Sequence, residues 1–70
     1  MKMNKLILRK EIYGANSLKE AIKAYKKITK IKIKDKKEYY VLKFYFCKYD
    51  LERTMREFEN YLIGIENMKW

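Results

Sequence analysis

The hydrophobic pattern of the chain is densest between Tyr39 and Cys47, a run that contains a single charged residue. Aromatic and β-branched side chains in such a run are typical of a β-strand, in which successive side chains point to opposite faces. Alternation predicts that one face, formed by Tyr40, Leu42, Phe44 and Phe46, belongs to the core. The other face would hold Tyr39, Val41, Lys43, Tyr45 and Cys47. Because this second face is also largely apolar, it indicates a central strand or a surface that meets a partner.

Two further strands and a helix are predicted before this segment. The apolar run from Lys5 to Arg9 predicts the first strand, and alternating isoleucine and lysine over 29–34 predicts the second. Between them, Ser17 to Glu20 fits a capping box, which predicts Ser17 as the N-cap of a helix. The helix is indicated by an apolar stripe, formed by Leu18, Ala21, Ile22, Tyr25 and Ile28.

A second helix is predicted after Asp50, because an aspartate side chain is a good N-cap. Residues at helical spacing then form a stripe, made of Leu51, Thr54, Met55, Phe58, Tyr61, Leu62 and Ile65. Gly64 either ends this helix or weakens it without ending it.

The predicted order of elements is β-α-β-β-α, in one domain over residues 1–70. The short polar connection 35–38 makes the second and third strands antiparallel neighbours. The third strand is the most apolar and is therefore expected at the centre of the sheet. We predict an α+β fold with a three-stranded sheet in the order 1-3-2 and both helices on one face. The far face would be open, with Ile7 beside the tyrosines of the third strand.

The small size of the chain limits how such a core is stabilised. A chain of 70 residues buries only about 60% of the surface that it exposes when unfolded. One cysteine, Cys47, and no histidine exclude an internal disulfide and a structural zinc site of the usual Cys/His kinds, and no cofactor is expected. The remaining supplement is docking onto another protein or peptide, or association as a homodimer.

Charge adds a second candidate feature. The formal net charge is +9, and fifteen of the eighteen basic residues are lysines, which favour general attraction to polyanions over precise reading of nucleic acid. The candidate basic patch comprises Lys23, Lys26, Lys27, Lys30, Lys32 and Lys34. It is either a footprint for RNA or an acidic partner, or a solvated helix face followed by a protected edge strand. We favour the second interpretation.

Two candidate partner surfaces follow from the apolar pattern. The first is the far face of the third strand, with Tyr39, Val41, Lys43 and Tyr45. A protein interface is favoured there over single-stranded RNA stacking on the tyrosines. The second is the stripe of the second helix, with Met55, Phe58 and Leu62, which would pack on its mate in a homodimer.

No catalytic constellation is found in the sequence. Ser17 has no neighbouring base, and Glu57 and Glu59 would point in different directions from a helix. Near the N-terminus only three consecutive residues are apolar, Leu6 to Leu8, far fewer than a signal peptide or a membrane span needs. We therefore expect a non-enzymatic, cytoplasmic protein without membrane contact and with a reduced cysteine.

The segment Glu57 to Ile63, Glu-Phe-Glu-Asn-Tyr-Leu-Ile, resembles the helix ending of the HxsD-like family, small proteins encoded beside radical-SAM peptide-modifying enzymes. Earlier matches are Ile12-Tyr13, Ser17-Leu18 and Ala21-Ile22, with Gly14-Ala15-Asn16 as a departure from the family pattern. The resemblance implies an accessory, non-catalytic role in a peptide-maturation system. Under this hypothesis, a peptide or partner enzyme adds to the exposed edge of the first or second strand.

The chain also resembles the small dimerisation subunit of the KEOPS tRNA-modification complex. The similarity lies in the order of elements and in an asparagine-tyrosine-leucine helix after an aspartate, here Asp50, Asn60, Tyr61 and Leu62. This resemblance implies a subunit of a tRNA-modifying complex. Together with a basic RNA-binding module, it is the alternative to the peptide-maturation hypothesis.

Overall fold

The computed structural model describes residues 4–68, and Trp70, whose packing the sequence does not predict, lies outside the described residues. The elements are β1 (Lys5–Arg9), α1 (Ala15–Ala24), β2 (Lys30–Asp35), β3 (Tyr39–Tyr45) and α2 (Leu51–Asn67). The predicted order β-α-β-β-α is confirmed.

β3 lies at the centre of a three-stranded sheet with the order β1-β3-β2, and it is antiparallel to both neighbours. The register places Leu6 and Ile33 on either side of Leu42, and Ile31 opposite Phe44. Because residues opposite each other on neighbouring strands share a face, these apolar side chains form one continuous surface. The predicted sheet order is confirmed.

Both helices cover that apolar surface. The buried core, at most 2% exposed, is formed by Leu8, Leu18, Ala21, Leu42, Phe44, Phe58 and Leu62. The rings of Phe44 in the sheet and Phe58 in α2 meet edge to face, with centroids 5.4 Å apart. Burying a side chain of this size stabilises the fold by about 1.5–3 kcal/mol. The α+β arrangement with two helices on one face is confirmed.

The predicted third strand was too long at its C-terminal end. It ends at Tyr45, because Phe46 adopts a left-handed backbone conformation with φ of 53°. Phe46 is 86% exposed and not in the core. The turn reverses the expected alternation, so that Cys47 packs against the core, with its Sγ 3.1 Å from Thr29 Oγ1. The Lys48 N–H donates to a backbone carbonyl at the end of the turn after α1, at 2.8 Å. This hydrogen bond holds the chain in that conformation.

The predicted cap of α1 is also wrong. The helix begins at Ala15 with Gly14 as N-cap, and Gly14 makes no side-chain capping bond. Instead, its N–H donates to Oε1 of Glu66, near the end of α2, at 2.8 Å. Ser17 therefore lies inside the first turn, where it is 1% exposed. Its hydroxyl finds no hydrogen-bond partner among residues 4–68.

The start of α2 agrees with the sequence-based expectation. The side chain of Asp50 accepts a hydrogen bond from the Arg53 N–H at 3.0 Å, as an N-cap does. Gly64 does not end the helix, which continues to Asn67. Within the described part of the chain, neither helix has the length and apolarity that crossing a membrane requires.

Candidate binding surfaces

The side of the sheet that faces away from the helices is a basic surface, here called the open face. Alternation and register place ten side chains on it: Lys5, Ile7, Arg9, Lys30, Lys32, Lys34, Tyr39, Val41, Lys43 and Tyr45. Six are cations and none is an acid. The only acid in the described strands, Asp35, lies on the helix side and pairs with Lys10. The open face thus has uncompensated positive charge between apolar and aromatic side chains.

Three of these lysines form a row across the sheet. Lys5 lies opposite Lys43, and Lys43 lies opposite Lys32. Like charges directly opposite each other on adjacent strands destabilise a sheet. Among residues 4–68, no carboxylate pairs with any of the three. We call this feature the lysine row.

Aromatic rings cluster at the end of β3, beside the lysine row. The ring centroids of Tyr45 and Phe46 are 6.5 Å apart, and Lys32 Nζ is 5.6 Å from the centroid of Tyr45. Lys48 Nζ lies 5.7 Å from the exposed ring of Tyr49. Cations at these distances from ring faces are within the range of cation–π attraction. This end of the sheet therefore presents flat aromatic surfaces next to positive charge.

The structure brings the predicted partner residues of β3 together. Tyr39 is exposed near one end of the strand, and Val41, Lys43 and Tyr45 follow it on the same face, half-buried. Sequence reasoning missed the exposed ring of Phe46 beside Tyr45, because strict alternation assigned Phe46 to the core.

The predicted dimer surface of α2 is wrong. Phe58 and Leu62 are 0% exposed and belong to the core of the chain itself. Met55 is half-buried against the same core. The apolar stripe of a helix beside a sheet packs on that sheet, because an uncovered apolar face would leave the domain without a core. These three residues therefore do not form an exposed face for a second copy.

The predicted basic patch is divided between two sides of the molecule. The register places the three lysines of β2 on the open face, and Lys30, at the start of the strand, also lines a groove on the helix side. Lys23 of α1 and Lys26 of the turn after it line that groove instead, and Lys27 lies exposed in the same turn. The sequence-based prediction grouped these lysines because they are close along the chain, whereas the fold divides them between two sides.

The groove on the helix side, here called the α1–β2 groove, has a volume of about 600 Å³. Its apolar lining is Ile22, Ile31 and Ile33, and its basic lining is Lys19, Lys23, Lys26 and Lys30. It forms because β2 is an edge strand whose outer side has no neighbouring strand among residues 4–68. Sequence reasoning missed the groove, although isoleucines in a strand already read as an edge were a signal for it.

The outer edge of β2 offers backbone groups for a further strand. The Lys36 N–H donates to the Tyr39 carbonyl at 2.9 Å, which makes these residues a hydrogen-bonded pair. In an antiparallel ladder such pairs alternate with pairs whose backbone groups point away from the partner strand. The N–H and C=O groups of Ile31 and Ile33 therefore point outward. Their side chains line the α1–β2 groove, so the free backbone groups and the apolar lining belong to the same residues.

Two tyrosines that pack against the core have perturbed acidity. Burial raises the pKa of the Tyr25 phenol above 10, and the nearby Glu57 carboxylate raises it further. Burial likewise raises the pKa of the Tyr13 phenol, with a further contribution from Glu59. Within residues 4–68, no three side chains of the His, Cys, Asp and Glu types come together as metal ligands.

Comparison of the chain with protein-family models, with curated proteins and with solved structures finds no match.

Proposed function

We propose that this chain is a non-catalytic accessory protein that binds an extended peptide as an added strand beside β2. The observation that supports this proposal is the free edge of β2 next to the α1–β2 groove. Added strands gain affinity from backbone hydrogen bonds and specificity from pockets that receive alternate side chains. Both requirements are met here by the outward backbone groups of Ile31 and Ile33 and by the groove beside them.

The charges around the edge specify the chemistry of the peptide. Side chains of the added strand would alternate between the α1–β2 groove and the open face. On the groove side they would meet isoleucines with lysines at the margin, and on the open side they would meet Lys30, Lys32 and Lys34. A peptide in which apolar and acidic residues alternate satisfies both sides. We therefore propose an acidic, amphipathic segment as the bound partner.

The same lysines disfavour pairing between two copies of β2. A second β2 would bring lysine against lysine on the open face, and lysines are a common protection of edge strands. An acidic strand meets attraction at those positions and not repulsion. The protection of the edge and the selection of an acidic partner therefore have the same physical cause.

The edge of β1 suits such a peptide less well. The groove beside it has a volume of about 360 Å³, and its lining contains Glu52 and Glu59 against one cation, Arg56. These carboxylates would repel an acidic strand. The proposal therefore places the peptide at β2.

The biological setting we propose is peptide maturation. Its support is the resemblance of Glu57 to Ile63 to the HxsD-like family. In that setting the added strand is a segment of the immature peptide or of the enzyme that modifies it.

The experiment is a titration of the protein with fluorescently labelled peptides as long as β2, which has six residues. A peptide of alternating valine and glutamate should bind, and peptides with lysine in place of glutamate or with the order scrambled should bind at least about tenfold more weakly. The amide resonances of Ile31 and Ile33 should shift on binding.

Two proline variants give a matched pair. Ile33→Pro removes an outward N–H without removing a bond to β3, and edge strands tolerate proline at such positions. Ile7→Pro makes the equivalent change on the outer edge of β1. We expect Ile33→Pro to abolish peptide binding and Ile7→Pro to preserve it, with both variants folded by circular dichroism. Binding that survives Ile33→Pro, or that ignores the order of the peptide residues, would refute the added strand.

A further inference from the structure

We propose that the open face is a second binding site, for single-stranded nucleic acid, which shares Lys32 with the peptide site. In this site, Tyr45 and Phe46 stack with bases and the lysine row contacts phosphates. The inference goes beyond the proposed function, because it uses the face of the sheet and not the edge of β2. It stands on three observations: the conformation of Phe46, the register of the lysines and the aromatic rings beside Lys32.

The first observation is that Phe46 is costly to the fold. A bulky residue with a φ of 53° is a backbone outlier, and glycine or asparagine adopts this conformation more readily. Its ring is 86% exposed, so it adds little to the core in return. Strained residues cluster at functional sites. Phe46 is therefore best explained by what its ring contacts outside the chain.

The second observation is the lysine row, in which like charges lie directly opposite each other on adjacent strands. Lys43 has a lysine directly opposite it on both neighbouring strands. A polyanion laid across the sheet would replace this repulsion with attraction, because each phosphate neutralises a cation and releases counterions. The row thus runs across the strands as a line of phosphate contacts.

The third observation distinguishes nucleic acid from an acidic protein. Lys32 lies beside the ring of Tyr45, and the ring of Phe46 is next to it. Aromatic rings beside a positive track are the arrangement by which proteins bind single strands, because every base has a flat face that stacks on such rings. The bases of a duplex are already stacked on each other and are not available in this way. A single strand is therefore the ligand that uses both the rings and the lysines.

The test measures binding of a labelled oligouridylate of about ten nucleotides by fluorescence anisotropy over a range of salt concentrations. A duplex of the same length is the second ligand, and poly-glutamate, titrated against the Ile33→Pro variant so that the edge of β2 is closed to it, is the third. We expect the single strand to bind most tightly, with an affinity that falls steeply as salt rises. Tighter binding of the duplex or of poly-glutamate would overturn the proposal, as would no binding of the single strand at low salt.

Variants of Phe46 separate binding from folding. Phe46→Gly and Phe46→Asn both suit a left-handed backbone, so neither should lower the thermal midpoint. Both should weaken binding of the single strand by roughly tenfold to a hundredfold, because one stacking ring is lost. If both variants bind as tightly as the original chain, Phe46 has no part in the site and the proposal is overturned.

A pair of lysine variants tests the row against general charge. Lys43→Thr removes the central cation and introduces a good strand former, so the thermal midpoint should rise while binding weakens. The slope of log affinity against log salt should flatten by about 0.7. Lys26→Thr removes the same charge from the α1–β2 groove and should leave the slope nearly unchanged. Equal effects of the two variants would show diffuse attraction and overturn the assigned site.

The two proposals can fail independently. Ile33→Pro alters the edge of β2 and should leave binding of the oligouridylate intact. Phe46→Gly alters the end of the open face and should leave binding of the acidic peptide intact. Loss of oligouridylate binding in Ile33→Pro, in a folded protein, would contradict a site on the open face.

Discussion

The two sides of β3 share one backbone but have opposite roles. Leu42 and Phe44 point toward the helices and are at most 2% exposed. Val41, Lys43 and Tyr45, which alternate with them, point to the open face and remain half-buried. Consecutive residues of β3 therefore belong to opposite sides. One side stabilises the fold, and the other is left for contact with other molecules.

The distribution of charge follows the same division. The open face has six cations and no acid, whereas four of the nine acids of the chain are in α2, on the other side of the sheet. Facing cations across strands do not stabilise a sheet. The net charge of +9 is thus concentrated where it is least useful for folding. This distribution of charge favours the open face and the edges of the sheet as the functional surfaces.

The largest expected effect separates these two sides. Phe44→Ala should lower the free energy of unfolding by about 3–5 kcal/mol, because it removes a buried ring and leaves a cavity against Phe58. A domain of this size has a total stability of about 4–10 kcal/mol, so the variant should be close to unfolding. Urea unfolding followed by circular dichroism measures the difference.

Tyr45→Ala is the matched control for this change. It removes a ring of similar size from the neighbouring residue, but on the open face. The expected loss is about 1 kcal/mol or less, because a half-exposed ring on an uncovered sheet leaves no cavity. Similar losses in the two variants would contradict the division of β3 into a core side and an open side.

The architecture was predictable because the hydrophobic periodicity of the strands and helices is unambiguous. Lysine and isoleucine alternate along β2 with a period of two, and the stripe from Leu51 to Ile65 follows helical spacing. Short connections then leave few ways to arrange the strands. The central position of β3 followed from its apolar character on both faces. Each of these signals is local or repeats over many residues.

The errors have causes that such signals do not contain. Strand alternation gave no sign that Phe46 would turn outward, since a left-handed phenylalanine is rare. At the start of α1 the N–H of Gly14 donates to Glu66, a residue far away in the sequence. The partner role assigned to Phe58 failed because an apolar stripe has the same pattern whether it packs on its own sheet or on another chain. The open face was predicted in part, whereas the groove needed the relative placement of α1 and β2.

A smaller change in the free energy of unfolding, of opposite sign, is expected at the buried hydroxyl of Ser17. Ser17→Ala should raise the free energy of unfolding by about 1 kcal/mol, because it removes a buried hydroxyl that has no partner among residues 4–68. The capping box predicted from the sequence requires a loss of similar size. Urea unfolding of the variant therefore decides between the two by the sign of the change.

Asn16→Ala serves as the control for helix propensity. Asn16 is exposed in the same turn of α1, so its replacement should change stability by less than about 0.5 kcal/mol. If Ser17→Ala proves destabilising while Asn16→Ala is neutral, the hydroxyl of Ser17 has a role that the structure does not assign to it.

The smallest expected effect concerns pH and the rings that close the core. Tyr25 packs edge to face on Phe58, at 5.4 Å between centroids, and burial followed by the charge of Glu57 raises the pKa of its phenol. In the unfolded chain a tyrosine ionises near pH 10. The folded state therefore keeps its proton to higher pH than the unfolded state. The stabilisation is fully present below about pH 10 and is lost as the pH rises through the folded pKa.

Comparison with Tyr25→Phe isolates this contribution, because lysines titrate in the same range in both proteins. The difference in unfolding free energy between the original chain and the variant should stay constant between about pH 8 and pH 9 and then shift against the original chain above about pH 10. Tyr13→Phe should show the same sign, since burial also raises the pKa of Tyr13. A difference that stays constant to higher pH, or that shifts in favour of the original chain, would mean that the phenol is not held in its neutral form. The packing of Tyr25 against the aromatic core would then have to be reassigned, and with it part of the contrast between the covered and the open side of the sheet.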